Sequence, residues 1–164
     1  ELVLEAPEGE AEAVAALVRN VPPFPFVRES LEKLRERADL IVVSATPGEA
    51  LKREWEEHDL SKYVRTICGQ EAGTKKEILA AAASENYKQE SRLMIGDAPG
   101  DYAAADAAGC LFYPINPGNE ERSWRRLFEE GIDRFFDGVF AGEYQNKLLA
   151  EFDACLPERP PWEK

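Results

Sequence analysis

Short apolar runs alternate with amphipathic segments of helical length through the middle of this chain. The runs predicted as strands are residues 40–43, 64–68, 92–95 and 110–113. The segments predicted as helices are residues 28–37, 46–58, 74–84 and 99–108. Apolar strands that alternate with helices are typical of a parallel sheet covered on both faces. The pattern therefore predicts an α/β fold built on a parallel sheet.

Two of the helix starts carry capping signals. At the first, Thr46 is predicted as the N-cap, Pro47 as the first helical residue and Glu49 as the closing residue of a capping box. At the second, Thr74 and Glu77 have the same spacing and predict a second capping box.

The two ends of the chain depart from the alternation. Residues 10–21 have the spacing of an amphipathic helix, which prolines beginning at Pro22 would end. The tail at 157–164 is rich in proline and is predicted to be extended. We therefore divide the chain into an N-terminal helical segment, residues 1–22, and an α/β core with C-terminal helices, residues 23–164.

Composition excludes several classes of partner. The 164 residues include 32 acidic and 20 basic side chains, which gives a net charge of −12. Nucleic acids and anionic membranes are bound through clustered Lys and Arg, so neither is an expected partner. No apolar run approaches the about 18 residues of a membrane span. The three cysteines are too scattered for a disulfide framework, which favours a cytoplasmic protein, and Cys68 and Cys110 adjoin apolar runs, so we expect these two thiols to be buried.

Polar residues follow three of the predicted strands. Ser44 follows the first, the segment 69–76 follows the second, and Asp97 follows the third. In parallel sheets, ligands bind at the carboxyl ends of the strands, where these residues should meet. Asp97 and Asp101 are four residues apart, and two carboxylates suit a hard cation such as Mg²⁺.

Lys75 lies in the first turn of the helix predicted to begin at Thr74. A cation at this end of a helix opposes the helix dipole, so local stability would not select it. The need to neutralise a bound anion would explain a lysine at this position. Ser44 lies beside another helix start and would contribute to a small anion site.

These motifs resemble those of the haloacid dehalogenase-like (HAD) hydrolase superfamily over about residues 23–117. The resemblance implies a Rossmann-like three-layer α/β/α sheet and, for most members, an Mg²⁺-dependent phosphatase that works through an aspartyl-phosphate. It implies that Ser44 and Lys75 bind the phosphoryl group. It also implies that Asp97 ligates the metal and that Asp101 supports both the metal and Lys75.

One motif of that family is absent from this sequence. The family places Asp-x-Asp at the end of its first, central strand, where the two carboxylates act as nucleophile and general acid/base. No Asp-x-Asp occurs here, and the first aspartate is Asp39. We expect a fragment that lacks the first central strand, in which residues 1–22 are the remnant of a cap. The alternative is a relative that has lost catalysis.

Together these observations predict a phosphatase that acts on a small phosphorylated metabolite in its intact form. This chain alone is expected to be inactive and to bind Mg²⁺ weakly, with a missing N-terminal segment of the same protein as a partner. The alternative is a non-catalytic module that binds a phosphate ligand or a protein. Asn116, after the last predicted strand, borders the site and is expected to form a rigid turn in preference to a substrate contact.

Overall fold

A five-stranded parallel sheet organises the protein. The computed structural model describes residues 13–17, 24–44, 46–74, 77–80 and 91–156. The strands are β1 (Ala13–Leu17), β2 (Ala38–Val43), β3 (Thr66–Cys68), β4 (Arg92–Gly96) and β5 (Leu111–Pro114). Their order across the sheet is β3-β2-β1-β4-β5, and every neighbouring pair is parallel. The predicted parallel sheet is confirmed.

The central strand β1 corrects two predictions. The helix predicted at residues 10–21 is wrong, because Ala13–Leu17 form a strand that pairs with β2 on one side and β4 on the other. The sheet therefore has a central strand, contrary to the expectation that it is missing. A strand satisfies the backbone groups that β2 and β4 turn toward each other, whereas a helix would leave them unpaired. The proposed boundary after residue 22 stays a prediction, although Ala13–Leu17 pair within the core sheet.

Helices connect the strands and cover the sheet. They are α1 (Val27–Arg35), α2 (Gly48–Glu57), α3 (Pro99–Ala107), α4 (Glu120–Arg126), α5 (Ile132–Phe136) and α6 (Glu143–Cys155). Short helical turns occur at Ser61–Tyr63, Gln70–Ala72, 77–80 and Leu127–Gly131. The helices predicted at residues 28–37, 46–58 and 99–108 are confirmed. Within the described residues, no helix is both long and apolar enough to cross a membrane. The predicted tail at 157–164 lies outside the described residues.

Apolar side chains pack on both faces of the sheet. Alternate strand residues point to opposite faces, so Leu40 and Val42 belong to one core cluster and Ile41 and Val43 to the other. Helices α1, α2, α4 and α5 contribute buried residues to the first cluster. The turn at 77–80, α3 and the end of α6 contribute to the second. This arrangement is the three-layer α/β/α fold predicted from the sequence.

Helix α4 is fastened to the end of β5. The buried Tyr113 hydroxyl donates a hydrogen bond of 2.6 Å to the Ser123 carbonyl oxygen. The Ser123 hydroxyl donates to the Asn119 carbonyl oxygen and accepts from the Asn116 N–H. Burial raises the pKa of Tyr113 well above its usual value, so this donor stays protonated. The predicted rigid turn at Asn116 is thus held by side-chain hydrogen bonds.

Candidate functional site

The carboxyl edge of the sheet brings Ser44 and Asp97 to the same level. Leu17 of β1 pairs with Val42 of β2 on one side and with Ile95 of β4 on the other. Ser44 and Asp97 each follow two residues later, on strands that flank β1. Neighbouring strands are about 4.8 Å apart, so the ends of β2 and β4 are about 10 Å apart. β1 lies between these two strand ends, so Ser44 and Asp97 stand on either side of it at the carboxyl edge.

Ser44 is held in the loop between β2 and α2. Only 6% of its surface is exposed, and its N–H donates to the Cys68 carbonyl oxygen at 2.9 Å. Its hydroxyl oxygen accepts a hydrogen bond of 3.2 Å from the Thr46 N–H. The hydroxyl is thereby fixed at the strand end, close to the start of α2, where the sequence predicted an anion-binding group.

The start of α2 differs from the prediction. Pro47, in an extended conformation, is the N-cap, where the sequence predicted Thr46. Instead, the Gly48 N–H donates to both carboxylate oxygens of Glu71, at 3.0 and 3.1 Å. A carboxylate is favourable at this end of a helix because it faces unpaired N–H groups and the positive end of the dipole. The capping group therefore comes from the loop after β3.

Gly69 allows that loop to lie against the start of α2. A Cβ atom at this position would lie 2.4 Å from the Gly48 nitrogen and 2.8 Å from the Thr46 carbonyl oxygen. The adjacent Gln70 N–H donates to the same Thr46 oxygen at 3.0 Å. Because no side chain fits there, the contact between the two loops depends on glycine.

The helix start that carries Lys75 has the predicted cap. The Thr74 hydroxyl accepts from the Glu77 N–H at 3.2 Å, and the Glu77 carboxylate accepts from the Thr74 N–H at 3.4 Å. This reciprocal pair is the capping box expected from the sequence. Lys75 itself lies outside the described residues, so its role in phosphoryl binding stays a prediction.

Asp101 turns back toward the end of β4. Only 1% of its surface is exposed, and its Oδ2 accepts from the N–H groups of Asp97 and Ala98 at 3.2 and 3.1 Å. A Cβ atom on Gly96 would lie 2.7 Å from the Cβ of Asp101, so glycine is required there. Asp101 therefore fixes the turn that presents the exposed Asp97. Its predicted contribution to a metal site is not tested by this geometry.

Asp97 and Asp101 are the two carboxylates predicted to hold Mg²⁺. Mg²⁺ is commonly held by one or two carboxylates together with waters and phosphate oxygens. Asp97 and Asp101 supply that number of carboxylates at one strand end. In the part of the chain that the structure describes, no group of three or more His, Cys, Asp or Glu side chains could hold a metal. A complete site needs oxygen ligands beyond these two residues.

The sequence after β1 carries no candidate nucleophile. Residues 18–27 read Val-Arg-Asn-Val-Pro-Pro-Phe-Pro-Phe-Val, with no aspartate or glutamate. The family would place its Asp-x-Asp after the central strand. Because Ala13–Leu17 form the central strand, residues 18–27 stand where that motif would be expected. The signal for the strand was the uncharged run between Glu12 and Arg19.

Three other residues named in the sequence analysis have surroundings that bear on their predicted roles. Cys68 is buried, as predicted, and burial raises the pKa of its thiol, which disfavours the reactive thiolate. Cys110 is half-buried, and burial raises the pKa of its thiol as well. The Oδ1 atom of Asn116 is buried and accepts no hydrogen bond from the described residues.

Comparison with known proteins identifies the family. The sequence model of the family described as haloacid dehalogenase-like hydrolase matches residues 9–114. Phosphoglycolate phosphatase from Vibrio parahaemolyticus is 28% identical over 101 residues, covering 58% of this chain and 44% of that protein. The chain thus spans less than half the length of this relative.

Two solved structures are similar to the fold. The core domain of a candidate phosphoglycolate phosphatase from Streptococcus pneumoniae matches with a TM-score of 0.52 and 15% identity, covering 63% of this chain and 80% of that one. A HAD-superfamily hydrolase from Ehrlichia chaffeensis matches with a TM-score of 0.48 and 25% identity, covering 58% and 52%. On the strength of the family match over residues 9–114, this chain belongs to the haloacid dehalogenase-like hydrolase family.

Proposed function

We propose that this chain forms the phosphoryl-binding core of a HAD-like phosphatase that acts on a small phosphorylated metabolite. The observation that carries the proposal is the common level of Ser44 and Asp97 on the two strands that flank β1. A hydroxyl on one side and a carboxylate on the other suit a phosphoryl group bound beside a cation. Similarity to a phosphoglycolate phosphatase supports the same reaction class.

In this proposal each residue has a defined task. Ser44 donates its hydroxyl proton to a phosphoryl oxygen, and Lys75 neutralises the charge of the phosphoryl group. Asp97 and Asp101 would hold Mg²⁺, which supplies further neutralisation of that charge when it is bound. Asp101 also keeps the turn at Asp97 in place through its two backbone hydrogen bonds.

Hydrolysis through an aspartyl-phosphate needs a carboxylate nucleophile at the central strand end. The 164 residues contain no Asp-x-Asp from which to take it. The proposed phosphatase reaction therefore belongs to a protein in which a further segment provides the nucleophile. We expect this chain by itself to bind phosphate without turning over a phosphate ester.

A non-catalytic phosphate-binding module is the second candidate function. It is favoured by the pairing of β1 with both β2 and β4, because Ala13–Leu17 then occupy the position of a nucleophile-bearing strand. A strand from another segment would have to displace them. The two candidates share the phosphoryl site and differ in turnover by the complete gene product.

The test combines binding and turnover. Binding of inorganic phosphate to this chain is measured by calorimetry with and without Mg²⁺, and hydrolysis of p-nitrophenyl phosphate is measured for the chain and for the complete gene product. Ser44→Ala should weaken phosphate binding about tenfold, the value of one hydrogen bond to a charged group. Ser61→Ala, in the turn after α2, is the matched control and should change nothing.

The outcomes separate the two candidates. Phosphate binding that depends on Ser44, with Mg²⁺-dependent hydrolysis by the complete gene product, supports the phosphatase. The same binding without hydrolysis by the complete gene product supports the non-catalytic module. Phosphate binding that is equal in the Ser44 and Ser61 variants contradicts both.

A further inference from the structure

A basic groove lies between α4 and α6, away from the family's motifs. Its volume is about 540 Å³, which lies within the usual range of small-ligand sites. Besides the carboxylates of Glu129 and Glu130, it is lined by four cationic side chains, from Arg122, Arg125, Arg126 and Lys147. All four follow residue 114, where the match to the family model ends. The groove is therefore built by residues beyond the family match.

The helical spacing of the arginines places them on one face of α4. Arg122, Arg125 and Arg126 are related by three and four positions, so their side chains are neighbours on the helix surface. Two of them are oriented by carboxylates. Arg125 binds Glu129 at 2.9 Å, and Arg126 is half-buried against Glu151 of α6. These ion pairs fix one wall of the groove.

The other two cations have no such partner. Arg122 on α4 and Lys147 on α6 are exposed, and neither forms an ion pair or a side-chain hydrogen bond with any described residue. The chain has 32 acidic against 20 basic side chains, so carboxylates are not scarce. Two unpaired cations on facing helices leave the groove with donors that no part of the described protein uses.

The side chain of Tyr144 also lines the groove. Its hydroxyl oxygen is buried and has no hydrogen-bond partner within the described residues. Burial raises the pKa of Tyr144 to about 12, so the hydroxyl keeps its proton at neutral pH. The groove therefore presents positive charge and an amphipathic ring on the same side of the molecule.

We propose that the groove between α4 and α6 is a second anion site that takes a small phosphorylated compound, with Arg122 and Lys147 donating to its phosphate. Guanidinium groups match phosphate oxygens with two parallel hydrogen bonds, and an ammonium group adds a point charge. Arg125 and Arg126, held by their carboxylate partners, form the adjoining wall. The concave shape favours a compact ligand over an extended acidic peptide. This site is independent of Ser44 and of the proposed phosphatase reaction.

The test measures pyrophosphate binding by calorimetry at constant ionic strength, in the Ser44→Ala background, in which binding at the carboxyl edge is weakened. The double variant Arg122→Gln with Lys147→Gln should weaken binding at least about tenfold, since charge-assisted hydrogen bonds are lost. The matched control is Lys52→Gln with Arg53→Gln, which removes the same charge from exposed positions on α2. Binding in the control should equal that of the background.

Three results would overturn the proposal. An equal loss in both double variants would mean that only net charge matters. No binding in the Ser44→Ala background would mean that the carboxyl edge is the sole anion site. Tighter binding of a glutamate octapeptide than of pyrophosphate, lost in the Arg122 and Lys147 double variant, would assign the groove to an acidic peptide. Failure here leaves the phosphate test of Ser44 unaffected.

Discussion

Asp101 shows how one side chain shapes the turn at the end of β4. Its carboxylate accepts two backbone hydrogen bonds, and its Cβ lies against the α-carbon of Gly96. The spacing of Gly96, Asp97 and Asp101 therefore follows from packing as well as from chemistry. Gly96 provides room, Asp101 provides the acceptor, and Asp97 is presented at the edge of the sheet.

Substitution of Gly96 by alanine should destabilise the protein. The added Cβ would lie 2.7 Å from the Cβ of Asp101, so the strand or the turn must move. We expect a loss of about 2 kcal/mol in the free energy of unfolding, measured by urea denaturation. Gly100→Ala is the matched control. A Cβ there meets nothing within 4 Å, and the position is helical, so stability should be unchanged or increased.

Ionisation of Tyr144 should account for part of the loss in the free energy of unfolding at alkaline pH. Its pKa is raised to about 12 by burial and by the nearby Glu130, above the value of about 10 for an unfolded tyrosine. Its contribution is therefore complete below about pH 10 and is lost as the pH rises toward 12. Tyr144→Phe should lose less stability between about pH 8 and pH 11 than the unsubstituted protein, as measured by urea unfolding.

The control for this comparison is Tyr102→Phe, at an exposed tyrosine on α3. It should lose as much stability with rising pH as the unsubstituted protein. Equal losses in the Tyr144 and Tyr102 variants would contradict the assignment of the effect to Tyr144. At neutral pH the Tyr144→Phe change should be neutral or stabilising, because it removes a buried hydroxyl that has no hydrogen-bond partner among the described residues.

At the scale of elements, β1 determines how the sheet is assembled. It pairs along its whole length with β2 and along four residues with β4. Without it, β2 and β4 would each present an unpaired edge in the middle of the protein. The structure therefore assigns a central role to residues that the sequence pattern placed in a helix.

Ala15→Pro should strongly destabilise the protein. Ala15 is paired with Leu40 on one side and Leu93 on the other, and proline removes a backbone donor from a central strand. We expect a loss of about 3 kcal/mol or more. In the unsubstituted protein, the backbone amides of Ala13–Leu17 should exchange with deuterium as slowly as those of β2. Rapid exchange at these amides would contradict a central strand.

The sequence indicated some elements better than others. Strands β2, β4 and β5 were predicted to within two residues, because each is a run of large apolar residues that only a buried strand or helix explains. Ala13–Leu17 was missed because an alanine-rich run of that length fits both periodicities. The cap of α2 was also missed, since it is provided by Glu71, which is distant in sequence and cannot be recognised from a local pattern.

The candidate site was predictable in part for the same reason. The positions of Ser44 and Asp97 follow from strand ends, which apolar runs reveal. The inward turn of Asp101 depends on the backbone geometry after β4, which spacing alone does not give. The groove between α4 and α6 depends on the relative position of two helices, which no sequence motif predicts.

At the scale of the whole molecule, the net charge of −12 opposes compactness. Salt should relieve this repulsion, because the screening length falls from about 30 Å to about 8 Å between about 10 and 150 mM. We expect the melting temperature to rise by about 2–4 °C over that range, as about 1 kcal/mol would give. Calorimetry in sodium chloride measures this, and an unchanged or lower melting temperature would contradict it.

The carboxylate of Glu71 at the start of α2 makes anion binding there an exchange reaction. An incoming phosphoryl oxygen that approaches the Gly48 N–H must take the place of a ligand that the protein already supplies. The measured affinity then reflects the difference between the free energies with which the incoming anion and the Glu71 carboxylate bind the Gly48 N–H. A weakly basic anion such as chloride therefore does not displace Glu71, and only an anion that accepts a stronger hydrogen bond from the Gly48 N–H does so.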